Sequence, residues 1–106
     1  MANTVIAAAQ GVLTGSLVTL FTVPTNRKFA VKALSFCGQL GSAVTLIVEI
    51  KQTSGGTQRR YIERTLNDNA TDLAAETVNQ VIDTGGLIQA SGDGATYILS
   101  GILVDA

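Results

Sequence analysis

The sequence predicts an all-β single domain, a two-sheet β-sandwich of seven or eight strands, and three observations carry that expectation. The 106 residues include 10 Val, 8 Ile and 13 Thr, β-branched types that suit a pleated, half-buried surface. The 11 glycines fall mostly in clusters, Gly38 and Gly41, Gly55-Gly56, Gly85-Gly86, Gly92 and Gly94, and these cut the chain into short segments. The stretch from Val44 to Ile50 alternates strictly enough to place Val44, Leu46, Val48 and Ile50 on one face.

The elements follow in order. Residues 1–10 lack charge and turn residues; residues 3–9 read as an edge strand or an arm, and the expectation taken is an arm that packs on a neighbour, leaving 11–106 as the sandwich domain. Residues 12–23 read as a strand pair or one long bent strand broken near Gly15-Ser16, closed by the turn Pro24-Thr25-Asn26. Residues 28–37 read as a mostly buried strand, ended by a Gly38–Ser42 loop. Residues 43–51 are the clearest strand. A polar hairpin loop at 52–57 leads into a polar strand at 58–66. Residues 67–72 have turn composition, and Leu73-Ala74-Ala75-Glu76 suits one helical turn capped by Thr71 or Asp72. Short extended pieces at 78–82 and 87–90 flank the turn at 83–86. After the tight turn Ser91-Gly92-Asp93-Gly94, residues 95–104 form a last long strand, with Gly101 marking a bulge.

Composition narrows the function. Charged residues are 14% of the chain, against roughly 25% in a typical soluble domain. A surface this poor in charge is expected to be covered by copies of the chain or by other partners. The net charge of −1 argues against a nucleic-acid binder working by counterion release. No apolar run is long enough to span a membrane, and the start lacks the basic stretch of a signal peptide. Histidine is absent, which removes the commonest general base and metal ligand. No metal, cofactor or small-molecule substrate is therefore expected.

Few residues suggest chemistry. Val81-Ile82-Asp83-Thr84-Gly85 has the hydrophobic-hydrophobic-Asp-Thr-Gly form of an aspartic-protease loop, which would work as a dimer with one aspartate per chain. Only 21 residues follow Gly85, too few for the rest of such a site, and a turn is the favoured reading. The oxygen-bearing loop at Asp68, Asn69, Thr71 and Asp72 lacks the glycine and glutamate spacing of a calcium loop. Cys37, the single cysteine, reads as a small buried apolar residue. The basic strand is more informative. Arg59, Arg60 and Arg64 with Tyr61 are candidates for an intersubunit ion-pair site, period two placing Arg60 with Ile62 and Arg64. In the last strand Tyr97, Leu99 and Leu103 fall on one side and Ile98, Ile102 and Val104 on the other. A sandwich strand needs one apolar face only, so Tyr97 and Leu99 join the interface candidates.

The stretch Phe21-Thr22-Val23-Pro24-Thr25-Asn26-Arg27-Lys28-Phe29-Ala30-Val31-Lys32-Ala33-Leu34-Ser35-Phe36 resembles a pattern common in small virion proteins of tailed bacteriophages. In that pattern a strand ends in an aromatic residue and Thr-Val-Pro, a polar turn follows, and the next strand runs to a Gly/Ser/Ala loop. Ser42-Ala43-Val44-Thr45-Leu46-Ile47-Val48, then Gly85-Gly86-Leu87-Ile88-Gln89-Ala90 and Ser100-Gly101-Ile102, continue the similarity, which covers about residues 15–105 and departs at Cys37-Gly38 and Gly85-Gly86. The resemblance implies a jelly-roll-like sandwich and a non-enzymatic structural role in the virion, with the chain made in the host cytoplasm. It points to a capsid cement or decoration protein that binds the major capsid protein as a homo-oligomer, favouring a homotrimer. A tail, neck or fibre-attachment protein of the same fold is the first alternative. A carbohydrate-binding module is a more distant one, with only Tyr61 and Tyr97 and no Trp to form a sugar platform.

Overall fold

The computed structural model describes residues 4–38 and 41–105. Among the described residues nine strands run in the order β1 (Thr4–Val12), β2 (Val18–Thr22), β3 (Arg27–Cys37), β4 (Val44–Lys51), β5 (Arg59–Leu66), β6 (Thr71–Asp72), β7 (Val81–Ile82), β8 (Leu87–Ser91) and β9 (Thr96–Asp105). They form two antiparallel sheets. One has the order β1-β9-β3-β6, with β7 also pairing β3; the other has the order β2-β8-β4-β5. Apart from the β4–β5 hairpin, paired strands are distant in sequence, and the chain crosses between sheets at β1–β2, β2–β3, β3–β4, β5–β6, β7–β8 and β8–β9. This is the winding of a jelly roll, in which the ribbon β1–β2 pairs with β8–β9 and folds over β3–β7.

Both sheets contribute their inner faces to one core. From the first sheet come Phe29, Val31, Leu34, Phe36, Ile82 and Leu99; from the second, Leu20, Leu46, Val48, Ile50, Ile62 and Ile88, all buried. Phe21 and Phe29 meet across the sheets with ring centroids 4.7 Å apart. The alternation Val44-Leu46-Val48-Ile50 points inward as expected, with Leu46, Val48 and Ile50 buried and Val44 packed against the core.

Bulges account for most departures from the expected faces. A bulge inserts one residue and reverses the inside/outside parity beyond it. In β3 the register slips between Val31 and Ala33, so the inward set is Phe29, Val31, Leu34 and Phe36, and Cys37 points outward opposite Thr96. Cys37 is therefore exposed, not the buried apolar residue expected. In β5 the slip between Val48 and Glu49 leaves Tyr61 unpaired and sets Arg60 opposite Glu49 on the outer face, away from Ile62. Gly101 is not itself bulged. The irregularities lie in its neighbours, at Ala7/Ala9 of β1 and Val31/Ala33 of β3.

The boundary expected at residue 10 also differs. Residues 1–3 lie outside those described, but residues 4–12 form one continuous strand, paired with β9 from Thr4↔Leu103 to Val12↔Thr96. Ile6, Ala8 and Ala9 pack against the core. This is the edge-strand alternative, and its alanines suit an edge whose partner β9 supplies the side-chain volume. Deleting residues 2–9 would strip the edge from β9 and uncover Leu99. It is expected to lower the melting temperature by roughly 10 °C or more, a loss of a few kcal/mol in a domain of this size; a melt unchanged by the deletion would show that the strand is dispensable.

Between β6 and β7 the helical turn takes the form of one 3-10 turn, Ala75–Thr77. Its cap residue is Ala74, in the left-handed region at φ 46°, with no side-chain cap. Asp72 nonetheless accepts the Ala74 N–H at 2.8 Å, and the Thr77 hydroxyl donates to the Ala74 carbonyl at 2.8 Å.

Candidate interaction surfaces

Arg64 is positioned by β5 at the open side of the sandwich. Its register partner is Leu46, so it leaves the strand on the inner side, just where the second sheet ends. There it crosses to the first sheet. Nε and Nη2 bond the two Asp72 oxygens at 2.6 and 2.8 Å, and Nη1 and Nη2 reach Glu76 beyond β6. The Arg64 guanidinium holds the Asp72 carboxyl below its ordinary value, helped by the Ala74 N–H and opposed by partial burial. The same guanidinium, and the residue's own backbone, lower Glu76. Asp72 and Glu76 in turn raise the pKa of Arg64, which stays charged.

This arginine is a clamp within the chain that ties the two sheets together, which differs from the intersubunit pairing expected. Arg64→Gln should cost about 1 kcal/mol, as partly exposed pairs do even with a bidentate arm. Carboxylates with lowered folded pKa values add stability above the unfolded value of about 4 and lose it as pH falls through the folded value. The wild type should therefore lose more stability than Arg64→Gln between roughly pH 5 and 2. Parallel acid-denaturation curves for the two proteins would contradict the clamp.

Arg60 lies on the outer face of the second sheet and is also engaged within the chain. It bonds Glu49 at 2.9 Å and Glu63 at 2.7 Å. Gln58 donates to Glu49 at 2.6 Å and to Gln89 at 2.8 Å, and Gln89 donates to the Thr19 hydroxyl at 2.8 Å. By register these residues form one polar row, Thr19–Gln89–Glu49–Arg60, across all four strands. The Gln58 and Arg60 bonds lower the Glu49 pKa. Arg59, at the start of β5, is exposed and has no ion pair among the described residues.

The aromatic and apolar candidates separate. Leu99 is wholly buried in the core, so it is no interface residue. Tyr97, on the same inward side, packs its ring over Gly11, where a Cβ would sit 3.2 Å from the hydroxyl. Tyr61 also packs against the core. The outward side of β9 is the one that carries Ile98, Ile102 and Val104. There the row Val5–Ile102–Ala30–Val81 crosses β1, β9, β3 and β7 without a polar side chain. A shallow hollow of about 80 Å³ lies at the other end of this sheet, beside Ser35, Cys37, Thr71, Thr96 and Ile98.

The segment Asp83–Gly86 is a turn between β7 and β8. The Gly86 N–H donates to the Asp83 carbonyl at 2.9 Å, Gly85 takes φ 78°, and the Asp83 carboxylate pairs with Lys28 at 3.5 Å. The Thr84 hydroxyl donates to the Arg27 carbonyl at 2.7 Å, so the residues of the protease-like motif serve to close the turn. In the other polar loop, Asp68 accepts the Gly41 N–H at 2.5 Å.

No family model matches the chain, and no curated protein matches it. Among solved structures it is similar to a chain in the structure of infectious bursal disease virus, Gx strain, at 20% identity and a TM-score of 0.52, over 96% of this chain and 32% of that one. A chain in the structure of the Gt strain aligns at 16% identity and a TM-score of 0.43, over 96% and 30%. This protein thus spans about a third of the length of the chains it resembles. The likeness to the Gx-strain structure is one of fold: a two-sheet sandwich traced over nearly the whole of this chain.

Proposed function

We propose that the protein is a non-enzymatic structural component of a virus particle, and within that class a bacteriophage capsid cement or decoration protein that binds the outer shell as a homo-oligomer. The observation that carries the reading is the jelly-roll winding, which aligns over 96% of the chain with part of a viral structure. This is a fold-level analogy; the phage-like pattern over residues 15–105 and the low charge of one sheet face add to it. Arg60, Arg64, Asp72 and the Asp83-Thr84-Gly85 turn are occupied in contacts within the sandwich, which suits a subunit whose work is contact.

The test uses particles made with the gene disrupted. If the chain is cement, such particles should release their nucleic acid at a lower temperature than complete ones, and adding purified protein should restore the higher value. Identical release temperatures for the two kinds of particle, with no binding of the added protein, would overturn the cement role.

A further inference from the structure

We infer that the outer face of the five-stranded sheet is where the chain pairs with a second copy of itself, face to face about a twofold axis. The two sheets of the sandwich treat water differently. Across the four-stranded sheet runs the hydrogen-bonded row Thr19–Gln89–Glu49–Arg60. Across the five-stranded sheet the corresponding row is Val5–Ile102–Ala30–Val81. Seven large apolar residues are exposed among those described, and four lie on this one face: Val5 at 78%, Val12 at 63%, Ile98 at 56% and Val81 at 48%. They surround a centre of small side chains such as Ala30 and Ala33, which lets a second sheet come close.

Charge is sparse on the same face, where the exposed charged side chains of β3 are Lys28 and Lys32. Residues 4–12 and 96–104 contain no Asp, Glu, Lys or Arg. The basic groups of β3 are drawn to its margin, Lys28 to Asp83 at 3.5 Å and Lys32 to Asn79 at 3.2 Å. A twofold axis sets a patch against its own copy, so it suits a patch whose few charges are held by neighbours within the chain. The area also fits. Three strands about 4.8 Å apart with about nine residues each at about 3.3 Å, and the two-residue β6 and β7 beside them, give a face of roughly 500 Å². Two such faces remove about 1,000 Å² from water, the size at which specific pairs begin. Sandwich sheets stack in this way about 10 Å apart.

The inference deepens the virion reading by naming the surface through which the subunit associates with itself, and its test needs no particle. Light scattering on the full chain at micromolar concentration should give twice the 11.0 kDa chain mass. Ile98→Glu and Val5→Lys should each give the single-chain mass with an unchanged far-UV circular dichroism spectrum. Thr45→Glu, on the outer face of the other sheet, should leave the pair intact. Val5 lies at the sheet margin, so its variant carries the test if Ile98→Glu fails to fold. A monomeric wild type, a trimer that survives both substitutions on this face, or a pair dissociated by Thr45→Glu would each overturn the inference. A monomeric wild type would also remove the homo-oligomer from the proposed role, whereas none of these results bears on whether particles contain the chain, which the particle test decides separately.

Discussion

Leu46→Ala should lower the unfolding free energy by about 2–5 kcal/mol, against a total stability of about 5–15 kcal/mol for a domain of this kind. Leu46 is fully buried in the middle of β4, between β8 and β5. Truncation removes its transfer free energy and leaves a cavity walled by two sheets. The hydrogen-bonded ladders on both sides of β4 keep the backbone from moving in to fill it. Each kcal/mol corresponds to roughly 4–8 °C in a domain of about this length, so the melting temperature should fall by 10 °C or more. A Leu46→Ala protein that melts with the wild type would show that this face of β4 is not core.

Gly101→Val should cost about as much by the opposite route. Gly101 sits on the inward side of β9, directly under the Phe29 ring. A Cβ there would lie 2.3 Å from the Ala30 carbonyl oxygen and 2.5 Å from the ring edge. The ring could shift at some cost, but the carbonyl belongs to the neighbouring strand and cannot move without opening the ladder. Overpacking of this kind costs about 1–3 kcal/mol and more where backbone is involved. A stability loss below about 0.5 kcal/mol, the level of an ordinary surface change, would mean that the sheet has room at this point. The glycine is therefore a packing device, where the sequence alone suggested a bulge.

That difference shows where the sequence was legible. Val44 to Lys51 read correctly because its strand carries no inserted residue, so period two holds from end to end. β3 and β5 misread beyond the slips at Lys32 and Tyr61, since a bulge leaves no mark in composition but inverts every later face. This is why Cys37 came out exposed and Arg60 turned away from Ile62. The second apolar side of β9 was visible as Ile98, Ile102 and Val104. Which side met the core was not, because both alternating sets are apolar and only the second sheet decides between them.

The candidate site follows the same rule. Arg64 stood out as an arginine on a polar strand, but its partners Asp72 and Glu76 belong to other elements, reached only when the chain has crossed from one sheet to the other. No local periodicity connects residues related in that way. The hydrogen-bonded row Thr19–Gln89–Glu49–Arg60 was hidden for the same reason: its members come from four strands that are not in sequence order. Composition did carry one lesson through to the structure. A chain with 14% charged residues has too few charges for its whole surface, and it concentrates them on one sheet, in the loops and at the sheet margins.

The most direct test of the virion role is the protein composition of intact particles. Particles purified by density gradient from the source that encodes this chain should contain it in many copies, in fixed ratio to the shell protein, as measured by quantitative mass spectrometry. Surface proteolysis of the same particles should cut it before the shell protein. Particles that carry full infectivity and contain no trace of the chain would contradict the account.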